Sequence, residues 1–145
     1  MTTLRVSKSL GFIGTIAAAL ISLTAYSSAA FGDEIRVALS GEMEVPPVKT
    51  AANGNGTITV NADMTVGGSV MTTGLMGTMA HVHQGAAGTN GPVVIHLSKS
   101  GDASWAVPAG AKLTEAQYQA YKAGELYINV HSAENKAGEI RGQLK

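Results

Sequence analysis

Two histidines separated by a single residue, His81 and His83, are the part of this sequence best suited to chemistry. Side chains alternate between the two faces of a β-strand, so residues two apart project to the same side. Neutral imidazoles are common metal ligands, and two on one face can hold a single ion. Such pairs also arise by chance, so solvated surface histidines are the alternative interpretation.

A thioether lies beside this pair, because Met79 has the same parity as His81 and His83. Thioether together with imidazole favours copper over magnesium or calcium. The other interpretation of a methionine is a flexible filler of gaps in the core. We expect that structural role for Met64, Met71 and Met76, and leave both roles open for Met79.

All four histidines of the chain are out of phase with the apolar residues of their own predicted strands. The histidines are His81, His83, His96 and His131, and the apolar rows are Ala80 and Val82, then Val93, Ile95 and Leu97, then Leu126, Ile128 and Val130. None is therefore expected to point into the core.

The elements that position these residues are mostly strands. Alternating apolar residues predict strands at 34–40, 57–60, 66–76, 79–84, 92–98, 126–131 and 138–144, with a turn at 53–56. Eighteen glycines suit a β protein with many turns. One helix is predicted over 115–123, where Thr114 and Gln117 form a capping box and Gly124 ends the helix.

Residues 1–30 have the pattern of a removable export signal. Arg5 and Lys8 precede an apolar run that ends in small residues up to Ala30. A transmembrane anchor is the competing interpretation, but about 17 apolar residues are at the short limit for a span. We expect a mature domain of residues 31–145, periplasmic or secreted, with no membrane association after cleavage.

Composition excludes several functional classes. The expected mature chain has eight Lys and Arg against ten Asp and Glu, so it offers no basic surface for a nucleic acid. It has no cysteine, which excludes a thiol nucleophile and a thiolate metal site. No catalytic triad, carboxylate pair or phosphate loop stands out, so an enzyme is not expected.

Five segments carry a resemblance to a known family. They are 39–48 (LSGEMEVPPV), 80–88 (AHVHQGAAG), 91–97 (GPVVIHL), 124–131 (GELYINVH) and 138–144 (GEIRGQL). In this order they resemble the CHRD (chordin-type) domain, in the single-domain form found in exported bacterial proteins. The resemblance covers nearly all of the mature chain and includes all four histidines.

The resemblance implies an all-β fold: an antiparallel β-sandwich or barrel of Greek-key type, similar to Cu,Zn superoxide dismutase, with one short helix. In that architecture an HxH strand and further histidines hold copper. It does not imply an activity. A dismutase of that type needs a bridging histidine, a separate zinc site and usually a disulfide, which four histidines and no cysteine do not supply.

The first functional hypothesis is an exported protein that binds copper, as Cu(I) or Cu(II), in preference to zinc. The expected ligands are His81, His83 and His131, with His96 as a fourth, Met79 or Met43 as a soft ligand, and Glu44, Glu139 or Asn129 holding an imidazole N–H. Its candidate partners are the metal ion and another periplasmic copper protein. A homodimer that shares an ion between exposed edges is a further possibility.

The second hypothesis is a metal-free interaction module at the cell surface or in the periplasm. Its docking strip would be the edge formed by residues 44–48, where two prolines disfavour a central strand. Arg141 and Glu139 are expected to form a solvated ion pair on the exposed face of the last strand.

Overall fold

The computed structural model describes residue 3 and residues 32–145. The predicted export signal, residues 1–30, therefore lies outside the described residues except for residue 3. The nine strands are β1 (Asp33–Ser40), β2 (Asn53–Val60), β3 (Val66–Thr73), β4 (Gly77–Gln84), β5 (Val93–His96), β6 (Ser98–Gly101), β7 (Ser104–Ala106), β8 (Leu126–Ser132) and β9 (Ile140–Leu144). One helix, α1 (Glu115–Lys122), and a 3-10 turn (Gly41–Met43) complete the secondary structure. Within 32–145 no helix has the length and apolar character needed to cross a membrane.

All nine strands form one antiparallel sheet in the order β5-β4-β8-β9-β1-β2-β3-β7-β6. The two edge strands, β5 and β6, are separated in the chain by Leu97 alone. Leu97 is buried, and its N–H donates to the Ala80 carbonyl at 2.9 Å. The sheet therefore curls into a nearly closed barrel, with the bend at Leu97 joining its two edges.

The inward-facing side chains form one apolar core. Its members include Val37, Leu39, Ile58, Val70, Val82, Trp105, Leu126, Ile128, Val130, Ile140 and Leu144. They occupy alternate positions along their strands, as the period of a strand with one face on the core requires. The predicted all-β class with one short helix is confirmed.

Three details differ from the prediction. Residues 53–56 belong to β2 rather than to a turn, and Gly56 lies so close to β3 that a Cβ there would overlap the Ser69 carbonyl. The glycine that suggested a turn therefore permits close strand pairing. The predicted strand 92–98 is shorter in the structure, where β5 ends at His96, and β6, which was not predicted, begins at Ser98 after the bend at Leu97. Strand β7 was not predicted, since three residues are too few to show a period.

The helix matches its predicted boundaries within one residue. Thr114 Oγ1 accepts the Gln117 N–H at 3.2 Å, and the Thr114 N–H donates to Gln117 Oε1 at 2.8 Å, which completes the capping box. Gly124 follows the helix with φ of 72°. Tyr121 packs into the core, and its hydroxyl donates to the Asp33 carboxylate.

The outer face of β8 and β9 is also buried, which parity alone did not predict. Segments 41–48 and 85–92 fold over it, and Asn90 joins the two segments by donating to the Val45 carbonyl at 2.7 Å. Polar side chains fill this outer layer: Glu44, Asn129, His131, Glu139, Arg141 and Gln143. The expected solvated pair of Arg141 and Glu139 is therefore wrong, since both residues are buried: Arg141 lies under segment 85–92, and Glu139 accepts from the Thr50 hydroxyl.

Replacing Leu97 by Ala tests the closure of the barrel. We expect the free energy of unfolding to fall by about 2–5 kcal/mol, because a buried leucine is removed at the bend that joins the two sheet edges. Val93, an exposed residue of β5, is the control. Val93→Ala should change the free energy of unfolding by less than about 0.5 kcal/mol. Urea denaturation followed by circular dichroism measures the free energy of unfolding of both variants. Equally small effects would contradict the role of Leu97 in closing the barrel.

Candidate metal centre

Three histidines from two neighbouring strands meet on the outer face of the barrel. His81 and His83 come from β4, and His131 comes from β8, which is paired with β4. Each can offer one ring nitrogen such that the three nitrogens all lie within 4.8 Å of one another. His81 and His131 are closest, with Nδ1 of His81 at 3.0 Å from Nε2 of His131. The predicted set His81, His83 and His131 is thus brought together.

The burial of this cluster corrects one expectation. Its residues do face away from the apolar core, as their parity predicted, but they are not surface histidines. His81 and His131 are each only 7% exposed, and His83 is half-buried. The cluster is a covered polar site, where ligands lose fewer hydrogen bonds to water when they bind an ion.

A backbone carbonyl fixes the tautomer of His83. Its Nδ1 lies 2.9 Å from the Gly91 carbonyl oxygen, which can only accept, so Nδ1 carries the proton. Nε2 then holds a free lone pair, and this atom is buried with no hydrogen-bond partner. A buried acceptor without a partner is costly in a folded protein, and a bound metal ion would satisfy it.

The loop that supplies this carbonyl is held close to the sheet. Gly91 approaches the Gln84 carbonyl so closely that a Cβ there would overlap it. The Gly91 N–H donates to the hydroxyl of Tyr127 at 3.2 Å. The ring of Tyr127 stacks on His83 with centroids 4.9 Å apart and planes 8° from parallel. The ring of His83 is therefore held by stacking on Tyr127 and by the hydrogen bond from its Nδ1 to the Gly91 carbonyl.

His131 is oriented in the same way by the turn between β8 and β9. Its Nδ1 lies 2.8 Å from the Lys136 carbonyl oxygen, so Nδ1 is the donor and Nε2 is an acceptor. The His81 Nδ1 therefore donates to Nε2 of His131 in the metal-free protein. Binding of an ion by His131 Nε2 replaces this one hydrogen bond, which is a small rearrangement for two rings already in place.

The local electrostatics keep His81 and His83 neutral at neutral pH. Burial, reinforced by repulsion from His131, His83 and His96, lowers the pKa of His81 to about 4. Burial also lowers the pKa of His83, although the Gly91 carbonyl partly opposes this shift. Only neutral imidazole has a lone pair for a metal, so at neutral pH these two side chains are ready to bind one.

His96 and the methionines take different positions. The ring of His96 packs edge-on against His81 at 4.7 Å, but this histidine is exposed on edge strand β5 and is not part of the 4.8 Å cluster. Met79 is the direct cross-strand partner of His131. Met43 lies away from the triad, beside a cavity that Arg141 and Ala87 also line.

The predicted holders of the imidazole N–H groups are not the observed ones. Backbone carbonyls of Gly91 and Lys136 have that role, whereas the Glu44 carboxylate accepts from Asn129 at 2.7 Å. Glu139 accepts instead from the Thr50 hydroxyl. Gly138 permits this packing, because a Cβ there would overlap Asn129 and Glu44. Every residue has a backbone carbonyl, so residue type does not reveal which ones orient the histidines; the only indirect sign in the sequence is the presence of Gly91 and Gly138 in these two turns.

Arg141 holds the covering loop against the site. Its guanidinium donates to the carbonyls of Thr89 at 2.8 Å and Ala86 at 3.0 Å, and lies 3.5 Å from the ring centroid of Tyr127. Tyr127 in turn stacks on His83. Arg141 is 1% exposed and thus acts on the metal centre through the loop and the tyrosine, as a positioning residue.

Replacing Arg141 by Met tests this arrangement. We expect the free energy of unfolding to fall by about 1–3 kcal/mol, because the loop carbonyls of Thr89 and Ala86 lose their charged hydrogen-bond donor. Amide hydrogen exchange should also increase in residues 85–91. Arg36→Met, at an exposed position of β1, is the control and should leave both unchanged. Unchanged exchange in Arg141→Met would contradict the positioning role.

The depressed pKa of His81 predicts an acid-dependent stability. Between the usual value of 6.5 and about 4, the unfolded chain binds a proton at His81 that the folded metal-free protein does not. The free energy of unfolding should therefore fall as the pH drops through this range. Urea denaturation of the parent and of His81→Gln at pH 7, 5.5 and 4.5 measures the effect. The variant should lose less stability, and parallel losses would contradict the assignment.

A protein-family model matches most of this chain. The family model described as CHRD domain matches residues 35–144, which include every strand except the first two residues of β1. No curated protein and no solved structure matches the chain. The match contains all four histidines, both covering segments and Arg141. Over most of its length, then, this chain belongs to the CHRD domain family.

Proposed function

We propose that this protein is an exported copper-binding protein that buffers, stores or delivers the metal. The observation that carries the proposal is the triad of His81, His83 and His131, whose donor nitrogens lie within 4.8 Å of one another. The buried, unpaired Nε2 of His83 adds to it, because a bound ion provides the partner that this atom lacks.

Copper is favoured by the chemistry of the donors. Three neutral imidazoles suit copper or zinc, whereas magnesium and calcium prefer oxygen ligands. The thioether of Met79 beside the triad adds a soft ligand, which favours copper over zinc. His96, packed on His81, is proposed as a further ligand that would approach from the exposed edge.

An extracytoplasmic location is part of the proposal. CHRD domains are typically extracellular modules, and residues 1–30 have the sequence pattern of an export signal. A periplasmic or secreted protein would meet copper there, with another copper protein as its partner. A single chain supplies three ligands, so a homodimer is not needed to form the site.

A metal-free interaction module is the competing function, and its main support is weakened. The proposed docking strip, residues 44–48, uses its polar groups within the protein: Glu44 accepts from Asn129, and Val45 accepts from Asn90. We also propose binding rather than catalysis. The chain's four histidines are too few for the paired copper and zinc sites of a dismutase.

Metal loading tests the proposal. The protein lacking residues 1–30 is loaded separately with Cu(I), Cu(II) or Zn(II), desalted and analysed for metal content. We expect close to one copper per chain in the parent and almost none in the His81→Ala/His83→Ala variant, because two of the three donors are lost. His83→Ala alone should already weaken binding, since it removes the donor that has no other partner.

The control is Gln84→Ala, which changes the next residue on β4 and should retain copper. Circular dichroism of each variant checks that the barrel is folded. A folded parent that retains no metal would rule out the copper function and favour the interaction module. Retention of zinc but not copper would correct the identity of the metal.

A further inference from the structure

We infer that Met79 is the solvent-side ligand of the triad, that the bound form is Cu(I), and that the ion is exchanged through Met79 with a partner presenting a thioether or thiolate. This inference rests on the proposed copper function and specifies its oxidation state and route of exchange. Its basis is the position of Met79 beside His81 and His131, which are hydrogen-bonded to each other.

Met79 adjoins both members of that pair. It is directly opposite His131 across the β4/β8 ladder, and it is two residues from His81 on the same face of β4. Directly opposed residues of antiparallel strands have Cβ atoms about 4.5–5.5 Å apart. The flexible side chain of methionine can therefore bring its sulfur to an ion held between the two rings.

Exposure separates Met79 from the histidines. Its side chain is 49% exposed, whereas His81 and His131 are each 7% exposed. An incoming ion or an incoming ligand thus meets the thioether before it reaches the buried imidazoles. The exposure also excludes the role of core filler for this residue.

Exposed methionines are a general feature of this surface. Five large hydrophobic side chains are exposed in the described part of the chain, and all but Val93 are methionines: Met43, Met71, Met76 and Met79. The expectation that Met71 and Met76 fill the core is wrong, since both are on the surface. Met64 does pack against the core, as expected. Of the exposed four, Met79 is the one whose strand partner is a triad histidine.

The donor types favour the reduced ion. Thioethers are soft ligands that select Cu(I), and Cu(II) favours nitrogen and oxygen donors in a tetragonal arrangement. The triad with Met79 offers three nitrogens and one sulfur, without a carboxylate in the cluster. A soft ligand from a partner can displace the exposed sulfur while the buried nitrogens still hold the ion, so transfer needs no redox step and no free copper.

X-ray absorption spectroscopy of the Cu(I)-loaded protein, prepared without thiol reagents, tests the inference. The chain has no cysteine, so any sulfur bound to copper is a methionine thioether. We expect a sulfur ligand in the parent and in Met71→Leu, and its loss in Met79→Leu. Met71 is the matched control, an exposed methionine on β3.

Competition with bicinchoninate for Cu(I) gives a second measurement. Met79→Leu should weaken Cu(I) binding by at least about tenfold. Loss of a residue that only contacts a metal ligand already costs a site roughly that much affinity, and loss of a ligand should cost no less. Its Zn(II) affinity should be unchanged. Leucine conserves volume at an exposed position, so loss of folding is not expected.

The outcomes distinguish this inference from the proposed function. Two outcomes would overturn this inference but leave the proposed function intact. In the first, the parent binds copper through the histidines and shows no sulfur ligand. In the second, the sulfur ligand is retained in Met79→Leu. A parent that binds no copper would overturn the proposed function as well. Equal Cu(I) affinities in the parent and Met79→Leu would also exclude Met79 as a ligand.

Discussion

The geometry of the candidate metal centre depends on the buried guanidinium of Arg141. Its hydrogen bonds to the Thr89 and Ala86 carbonyls hold segment 85–92 over β8 and β9, and its contact with Tyr127 supports the ring on which His83 stacks. The same segment supplies the Gly91 carbonyl that fixes the tautomer of His83. One cation thus determines both the burial of the site and the direction of a donor lone pair. A planar group with several fixed donors suits this role, and a lysine could not make the same set of contacts.

This arrangement places two layers on opposite faces of the same strands. The inner face of β8 contributes Ile128 and Val130 to the apolar core, and its outer face contributes Asn129 and His131 to a polar layer. Buried polar groups are tolerated only when they are paired, and most of those in the outer layer are. Two exceptions are Oδ1 of Asn129 and Nε2 of His83, and the second belongs to the cluster of potential metal ligands.

Much of the fold was predictable from the sequence because strand periodicity records which face meets the core. Parity correctly separated Ala80 and Val82 from His81 and His83, and the capping box located α1. Parity does not record what covers the other face, so the burial of Arg141 and His131 was missed. It also cannot show that β4 pairs with β8, although this pairing brings His131 to the HxH pair from about 50 residues away. The family resemblance supplied that grouping. The carbonyls of Gly91 and Lys136 that orient the histidines were not predictable, because a backbone carbonyl is common to every residue type.

The gradient of exposure across the site connects structure with handling of the metal. A fully enclosed site made only of histidines would hold an ion firmly but exchange it slowly, because each ligand would have to move before a partner could reach the ion. Here the rings of His83 and His131 are fixed by backbone carbonyls, while the side chain of the neighbouring Met79 is about half exposed to solvent. Fixed ligands reduce the entropy cost of binding, and an exposed ligand could be displaced first by an incoming one. A centre of this design suits a protein that binds an ion and then passes it on.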